Sequence, residues 1–225
     1  MGKQTLKRKP LKNARTTRKQ SRSFFEQLYE KYPSCVHDHI EHHKYPNQKI
    51  IYGEMEYEGM KDLYAYVRKL EPKLGGFMDV GSGRGKLCLF MAEFPEIKYA
   101  IGIELVHERC RDARKLKKDL VSEFGSITKK VQFLCKNALE INYPTLIPRK
   151  SSPCFVWFSN LCFVSETSDA ILRKLSAELP CGSILACSQA LSAETREEDG
   201  IQKIGKVSVA MSWNTSSNVH VYRFG

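Results

Sequence analysis

The chain has 225 residues, a length typical of one domain with a small appendage, and 42% of them are hydrophobic. That apolar share is enough to bury a core, and 27% charged residues is ordinary for a globular protein. No stretch approaches the roughly 20 apolar residues of a membrane-spanning helix. The basic N-terminus also lacks the apolar region of a secretory signal. We therefore expect a globular protein that neither crosses a membrane nor carries a signal peptide.

Most of the net charge of +11 comes from the first 22 residues, which contain many basic residues and no acidic one. Its clusters are Lys7, Arg8 and Lys9, then Arg18 and Lys19. Such clusters are typical of a nuclear address or of a contact to nucleic acid, because their charge attracts polyanions. A solubilising arm is the alternative. We predict a disordered basic tail over residues 1–22.

Eight cysteines are scattered along the chain without a CxxC pair, and most have apolar neighbours. In a chain of this length without a signal peptide, that pattern predicts buried thiols in a reducing compartment. The residues concerned are Cys35, Cys88, Cys110, Cys135, Cys154, Cys162, Cys181 and Cys187.

Order is predicted to begin at Ser23, which forms a capping box with Glu26 ahead of a short aromatic helix. We expect a short helical appendage over residues 23–50. It contains a dense histidine cluster whose spacing matches no standard zinc finger. An exposed polar loop is the favoured interpretation and a metal site the alternative. The cluster consists of His37, His39, His42 and His43.

From residue 60 onward the apolar pattern alternates between helical and strand spacing. Helices are predicted over residues 60–70, 85–93, 106–124 and 167–179, and strands over 77–80, 98–104, 131–135, 154–159 and 183–189. Two final runs, 206–213 and 218–224, predict an antiparallel hairpin joined by residues 214–217.

This order predicts an α/β fold with right-handed crossovers and helices on both faces of the sheet. A hairpin that closes five β-α units is the arrangement of a class I S-adenosylmethionine methyltransferase. We therefore predict a Rossmann-like domain over residues 51–225, with a seven-stranded, mostly parallel sheet and a C-terminal antiparallel hairpin.

The strongest local signal is a glycine loop between a strand and a helix, where Asp79 is followed by Gly81, Gly83 and Gly85. A dinucleotide loop has the spacing G-x-G-x-x-G, which holds a pyrophosphate on the helix N-terminus. Here the spacing is G-x-G-x-G, and an acidic residue at its mouth suits the ammonium of S-adenosylmethionine. Glu104 closes the next strand, where a carboxylate can accept both ribose hydroxyls. A glycine turn without a ligand is the alternative.

The residues after the fourth predicted strand face the methyl acceptor in this fold, because open α/β sheets bind ligands at the carboxyl ends of their strands. Residues 159–163 lack the Asn/Asp-Pro-Pro-aromatic motif of enzymes that methylate exocyclic amines of bases. Cys162 lacks the preceding proline of enzymes that make five-methylcytosine. Both nucleic-acid chemistries are therefore disfavoured.

Several segments, in order, resemble the non-SET histone lysine methyltransferases, the "disruptor of telomeric silencing" family. Residues 51–54 resemble the family's Tyr-Gly-Glu-Thr loop, which folds over the cofactor. Residues 79–85 and 102–104 resemble its glycine loop and its Gly-Val-Glu strand end. Residues 159–163 resemble Asn-Asn-Phe-Ala-Phe, and residues 209–213 resemble the late Val-Ser-Trp segment.

The resemblance covers residues 50–225 and implies a set of site residues. Those implied to bind S-adenosylmethionine are Tyr52, Glu54, Asp79, Gly81, Gly83, Gly85, Glu104, Asn137 and Asn160. Those expected to form the acceptor channel are Asn160, Phe163, Trp213 and Tyr222, and for Phe163 and Trp213 core packing is the alternative.

The chain also departs from the family pattern. Lys86 stands where the family has glutamine, which puts a cation near the cofactor loop, and Met55 replaces a threonine. Asn137 and Ala138 replace an Asp-Phe pair that contacts adenine, so an amide remains but the aromatic ring is absent. The N-terminal helical region is also shorter than in the family.

The resemblance implies an S-adenosylmethionine-dependent protein-lysine methyltransferase that acts on histone in nucleosomes. The basic tail supports that prediction, because it would contact nucleosomal phosphates. We expect the protein in the nucleus, with the cytoplasm as the alternative. A methyltransferase of RNA or of a non-histone protein is the second hypothesis, and a non-catalytic binding module with the same fold is the third.

Overall fold

The computed structural model describes residues 50–148 and 152–225, together with Phe24, Leu28, Tyr29, Tyr32, Ile40 and residues 42–45. The predicted basic tail lies outside the described residues, as do the capping box at Ser23 and Glu26 and the histidines His37 and His39.

Seven strands and six α-helices alternate along the described chain. The strands are β1 (Gly76–Val80), β2 (Tyr99–Glu104), β3 (Val131–Cys135), β4 (Cys154–Phe158), β5 (Ile184–Cys187), β6 (Ile201–Met211) and β7 (Asn214–Phe224). The helices are α1 (Tyr57–Leu70), α2 (Lys86–Glu93), α3 (His107–Thr128), α4 (Tyr143–Leu146), α5 (Ser165–Glu178) and α6 (Ala193–Glu198). None of the described helices is long and apolar enough to span a membrane.

The strands form one seven-stranded sheet in the order β3-β2-β1-β4-β5-β7-β6. Strands β1 to β5 pair in parallel, whereas β7 runs antiparallel to both β5 and β6. Every residue of β1, β4 and β5 is buried, as expected for parallel strands covered on both faces. The predicted α/β fold with a closing antiparallel hairpin is confirmed.

The core lies on both faces of this sheet because side chains alternate along each strand. On one face, Phe77 and Phe155 pack with ring centroids 5.3 Å apart, beneath the helices α1 to α3. On the other face, Met78 and Val156 belong to a second cluster that includes the buried side of α5. The carboxyl ends of β1, β2 and β4 are thereby held at one edge.

The closing hairpin is tighter than the sequence pattern indicates. Residues 214–217, expected to form the connection, belong to β7, and the turn consists of Ser212 and Trp213 alone. Residues of this run still pair across the hairpin, as Ser217 does with Val209. Strand pairing uses backbone groups, so a polar run with exposed side chains can extend a hairpin.

The structure also corrects the prediction that all cysteines are reduced. Cys110, in the first turns of α3, forms a disulfide with Cys135, the last residue of β3, with Cα atoms 5.8 Å apart. The two cysteines are 25 residues apart and belong to no recognisable motif, so the sequence does not indicate that they pair. The two residues meet because α3 packs beside the end of β3. Among the described residues, Cys88, Cys154, Cys162, Cys181 and Cys187 are free thiols.

The part of the appendage that the structure describes packs on the domain. Phe24 and Leu28 are buried in the core cluster beneath α1 to α3. The ring of Phe24 lies 4.4 Å from that of Phe124, and the Tyr29 hydroxyl donates a 2.7 Å hydrogen bond to the carbonyl oxygen of Met55. The sequence pattern predicts that α3 ends at Phe124. In the structure the helix bends at this residue and continues to Thr128.

Candidate functional site

A cavity of about 470 Å³ opens at the carboxyl ends of β1, β2 and β4, within the size range of small-molecule sites. Its walls are the ends of these strands, the glycine loop that follows β1, the segment 50–55 ahead of α1, and the loop after β4. Open α/β sheets bind ligands at this edge. The cavity therefore lies where the sequence predicts the cofactor.

The glycine loop has a backbone that only glycine accommodates without strain. Gly83 has φ +53°, and a Cβ there would lie 2.6 Å from the Tyr52 ring. Gly85 has φ +76°, and a Cβ there would lie 2.2 Å from Phe133. Both distances are far inside van der Waals contact, so a side chain at Gly83 would displace Tyr52 from the cavity wall and one at Gly85 would displace Phe133 from the core.

Asp79, near the end of β1 and just before this loop, is a buried acidic residue with 3% of its surface exposed. Its Oδ1 atom is buried and has no hydrogen-bond partner among the described residues, and Asp79 belongs to the cavity lining. Burial raises the pKa of the Asp79 carboxyl well above its usual value, and the neighbouring Glu104 raises it further. Burial makes the charged form of Asp79 costly, and a cationic ligand group would stabilise that form.

Glu104 ends β2 and is held by the backbone of both neighbouring loops. Its Oε2 accepts a 2.7 Å hydrogen bond from the Gly83 amide, and its Oε1 accepts a 2.8 Å bond from the Val106 amide. These bonds fix the orientation of the carboxylate at the cavity wall. Oxygens fixed in this way can accept hydrogen bonds from ligand hydroxyls.

The segment 50–55 covers the glycine loop, and a buried ion pair joins the two. The Tyr52 hydroxyl donates to the Glu54 carboxylate and accepts a 3.3 Å hydrogen bond from the Arg84 amide. Lys86 Nζ, at the start of α2, lies 2.7 Å from Glu54 Oε2. Burial, followed by the charge of Glu54, raises the pKa of Tyr52 well above its usual value. Glu54, expected to bind the cofactor, therefore also has a structural partner.

Arg109 is a buried charged residue of α3, a helix whose other basic residues would be expected on its exposed face. Its side chain is buried, with the guanidinium 4.7 Å from the centroid of the Tyr52 ring. It also donates a hydrogen bond to the carbonyl oxygen of Ile50. A signal existed in the sequence, since Arg109 lies four residues before Ala113 on the apolar stripe.

Two of the aromatic side chains predicted for the acceptor channel line the same cavity. Phe163 lines it from the loop after β4, with its ring 4.8 Å from that of Phe158. Trp213 lines it from the hairpin turn and is 42% exposed. A Cβ on Gly53 would lie 2.3 Å from the Trp213 ring, so that glycine lets the indole approach the segment 50–55.

Two predicted acceptor residues point elsewhere. The Asn160 side chain is buried and its Oδ1 accepts a 2.7 Å hydrogen bond from the Gln189 amide. Tyr222 is completely buried in the second core cluster, and its hydroxyl accepts a 3.0 Å bond from the Leu191 amide. Neither lines the cavity. Both are turned toward the loop after β5, whose backbone N–H groups need acceptors.

Asn137, the predicted contact to adenine, lines the cavity next to the end of β3. Its Oδ1 accepts a 3.0 Å hydrogen bond from the Leu139 amide and so caps a short 3₁₀ turn.

Within the described part of the chain, no three His, Cys, Asp or Glu side chains are arranged to hold a metal ion. His43 is exposed there.

The chain matches the model of the family described as histone methylation protein DOT1 over residues 32–221. No curated protein matches it. Among solved structures it is similar to magnesium protoporphyrin IX methyltransferase from Synechocystis PCC 6803 with bound SAM, with 14% identity, a TM-score of 0.53, and coverage of 73% of this chain and 77% of that one.

It is also similar to the methyltransferase domain of bacterial CtHen1, with 11% identity, a TM-score of 0.55, and coverage of 73% and 96% of the two chains. The PH0226 protein from Pyrococcus horikoshii OT3 is 14% identical, with a TM-score of 0.54 and coverage of 74% and 89%. At these identities the similarity shows a shared fold.

The family match extends over most of the chain and includes the glycine loop, Glu104, the loop after β4 and nearly all of the hairpin. These are the elements that surround the cavity. The chain therefore belongs to the histone methylation protein DOT1 family, whose members are methyltransferases that use S-adenosylmethionine.

Proposed function

We propose that this methyltransferase modifies a lysine side chain of a histone and acts on nucleosomes in the nucleus. The observation that carries the proposal is one cavity whose wall holds two chemically different groups of residues. Asp79 and Glu104 supply carboxyl groups, and we call their part of the wall the cofactor end; Phe163 and Trp213 supply aromatic rings, and we call their part the acceptor end. Together with the family match, this arrangement suits a polar cofactor facing an amine that must be neutral to react.

The residues at the first end fit S-adenosylmethionine. Asp79 Oδ1, buried without a hydrogen-bond partner in the described structure, suits the ammonium of the amino-acid part. The Glu104 carboxylate, fixed by Gly83 and Val106, suits the two ribose hydroxyls. Asn137 is near enough to the cavity to bond the adenine amine.

S-Adenosylmethionine, when bound, would supply a methyl group on a sulfonium; its in-line displacement by a neutral amine would form the N–C bond, break the C–S bond and release S-adenosylhomocysteine. The protein's own residues align and desolvate the reactants. Phe163 and Trp213 present apolar surface to the incoming side chain, which lowers the pKa of its ammonium and favours loss of the proton to solvent. Tyr52, held by Glu54 and Arg109, closes the wall over the glycine loop.

The basic tail fits the same proposal. Residues 1–22, with Lys7, Arg8, Lys9, Arg18 and Lys19, would contact nucleosomal DNA through its phosphates and add affinity without sequence preference. Such a contact weakens steeply as salt rises, because binding releases counterions from the DNA.

The test is transfer of radiolabelled methyl groups from S-adenosylmethionine to nucleosomes, free histones and total RNA in parallel. We expect label on a nucleosomal histone, its loss in Glu104→Ala, and weaker labelling when residues 1–22 are deleted. Glu123→Ala, at an exposed acidic position on α3, is the matched control and should label normally. Label on RNA alone, or on a non-histone protein in a cell extract, would reject the histone substrate. Absence of cofactor binding by calorimetry would instead favour a non-catalytic module.

A further inference from the structure

The ion pair between Lys86 and Glu54 faces the cofactor cavity but has no step in methyl transfer. The side chains are 4% and 7% exposed, and both residues line the cavity. Lys86 Nζ also lies 4.9 Å from the centroid of the Tyr29 ring, so an aromatic residue of the N-terminal appendage covers the ammonium. Water therefore screens this pair little, and removing either partner takes a close opposite charge away from a buried ionised group.

The pair joins segments that are distant along the chain. Lys86 is the first residue of α2, directly after the glycine loop, whereas Glu54 belongs to the segment 50–55 that covers that loop. Apart from an isolated bridge between Met55 and Met211, this segment belongs to no strand or helix. Its position over the cavity therefore depends on side-chain contacts and a few backbone bonds.

Those contacts converge on Glu54. Its carboxylate accepts from Lys86 and from the Tyr52 hydroxyl, while its backbone amide and carbonyl bond the Ser212 hydroxyl and amide at 3.0 and 2.8 Å. The Tyr52 ring in turn lies against Gly83 of the glycine loop. Removing the positive charge that holds the Glu54 carboxylate would therefore weaken the hold on Tyr52, which keeps its contacts to the Arg84 amide and the Arg109 guanidinium.

We propose that Lys86 is a positioning residue whose ion pair with Glu54 clamps the segment 50–55 over the bound cofactor. The clamp slows cofactor release and leaves the chemical step untouched, because displacement of the methyl group by a neutral amine needs no charge from either residue. This inference rests on the proposed use of the cavity by S-adenosylmethionine. It assigns Glu54 to the clamp, where the family resemblance implies a cofactor contact.

The test compares Lys86→Met, Glu54→Gln, the double variant and Lys86→Arg. The readout is the dissociation rate of S-adenosylhomocysteine by surface plasmon resonance, together with KM for the cofactor and kcat. We expect each single variant to raise the dissociation rate and KM about tenfold or more, with kcat at saturating cofactor within about threefold. The double variant should resemble the single ones, and Lys86→Arg should restore slow release.

Lys61→Met is the matched control, because it breaks an ion pair of similar length, 2.8 Å to Glu58, on the exposed surface of α1. It should leave cofactor release unchanged. A dissociation rate in Lys86→Met within about twofold of wild type would overturn the clamp. If Lys86→Met does not fold, Tyr52→Phe removes one hydroxyl from the same cluster and should raise the rate several-fold, and no rise there would also overturn it.

Hydrogen exchange of the ligand-free protein separates failure of the clamp from failure of the proposed function. Amides of residues 52–55 should exchange about tenfold faster in Lys86→Met than in wild type, whereas those of β4 should not change. If wild type binds no cofactor, the proposed function fails and the exchange result still tests the clamp. Equal protection in both proteins would reject it.

Discussion

The two ends of the cavity differ in how their residues are distributed along the chain. At the cofactor end, Asp79, the glycine loop and Glu104 belong to one continuous strand–loop–helix–strand unit. At the acceptor end, Phe163 and Trp213 come from a loop and a hairpin turn that meet only in the folded protein. The first end is organised by local backbone geometry, and the second by contacts between distant loops.

This difference explains which predicted residues face the cavity. A glycine loop after a buried strand leaves few conformations, so Asp79 and Glu104 line the cavity as expected. In the acceptor loops, backbone N–H groups compete for polar side chains. Asn160 and Tyr222 accept hydrogen bonds from Gln189 and Leu191, and so they support the acceptor end from behind.

The largest effect on this comparison is expected from the disulfide, because it joins α3 to the end of β3 beside the cofactor end and has no counterpart at the acceptor end among the described residues. It closes a loop with a sequence separation of 25 between α3 and β3, so its reduction should lower the free energy of unfolding by about 3 kcal/mol. Urea unfolding with and without a dithiol reductant measures the change, and Cys110→Ala with Cys135→Ala should reproduce it. Cys181→Ser, at an exposed free thiol, is the control. Equal curves with and without reductant would show that the bond does not stabilise this end.

Asp79→Asn tests the electrostatics of the cofactor end. We expect cofactor affinity to fall on the order of 100-fold, because a charged hydrogen bond to the ammonium is lost. Calorimetry with S-adenosylmethionine measures the affinity, and Asp62→Asn, at an exposed position on α1, is the control. Unchanged affinity in Asp79→Asn would move the ammonium site elsewhere.

The same substitution should change the pH dependence of stability. Because the pKa of Asp79 is raised in the folded state, the folded protein holds this proton more tightly than the unfolded chain. Stability of the ligand-free wild type should therefore fall as pH rises from the ordinary aspartate pKa, about 3.9, toward the raised value, by at most about 1.4 kcal/mol per pH unit. The difference between wild-type and Asp79→Asn unfolding curves isolates this effect. A difference that does not vary with pH would contradict the raised pKa.

The smallest expected effects compare two aromatic residues of the hairpin. Trp213→Ala should lower kcat/KM about tenfold with little loss of stability, because the indole is 42% exposed and lines the cavity. Tyr222→Phe should cost about 1 kcal/mol of stability and leave kcat/KM within about twofold, because only the bond from Leu191 is lost. Thermal unfolding and steady-state kinetics measure both. The reverse pattern would return Tyr222 to the acceptor channel.

Several features were predictable because their signals are local. The parallel strands β4 and β5 are continuous apolar runs and β1 is interrupted only by Asp79, and the spacing of Gly81, Gly83 and Gly85 after Asp79 indicates the ligand loop. The buried position of Arg109 and the extent of the hairpin were not predicted. A charged side chain is exposed by default unless tertiary contacts supply partners, and Arg109 finds them in Ile50 and Tyr52.

The sequence by itself determined the order of strands and helices, the closing hairpin and the cofactor end of the cavity, because each depends on residues that are neighbours along the chain. Only the tertiary structure decided the bond between Cys110 and Cys135, the pairing of Lys86 with Glu54, and the inward orientation of Asn160 and Tyr222. Each of these joins distant segments. Packing and the need of buried polar groups for hydrogen bonds determine which residues pair in this way. Neither produces a regular spacing along the sequence, so these contacts could not be predicted from it.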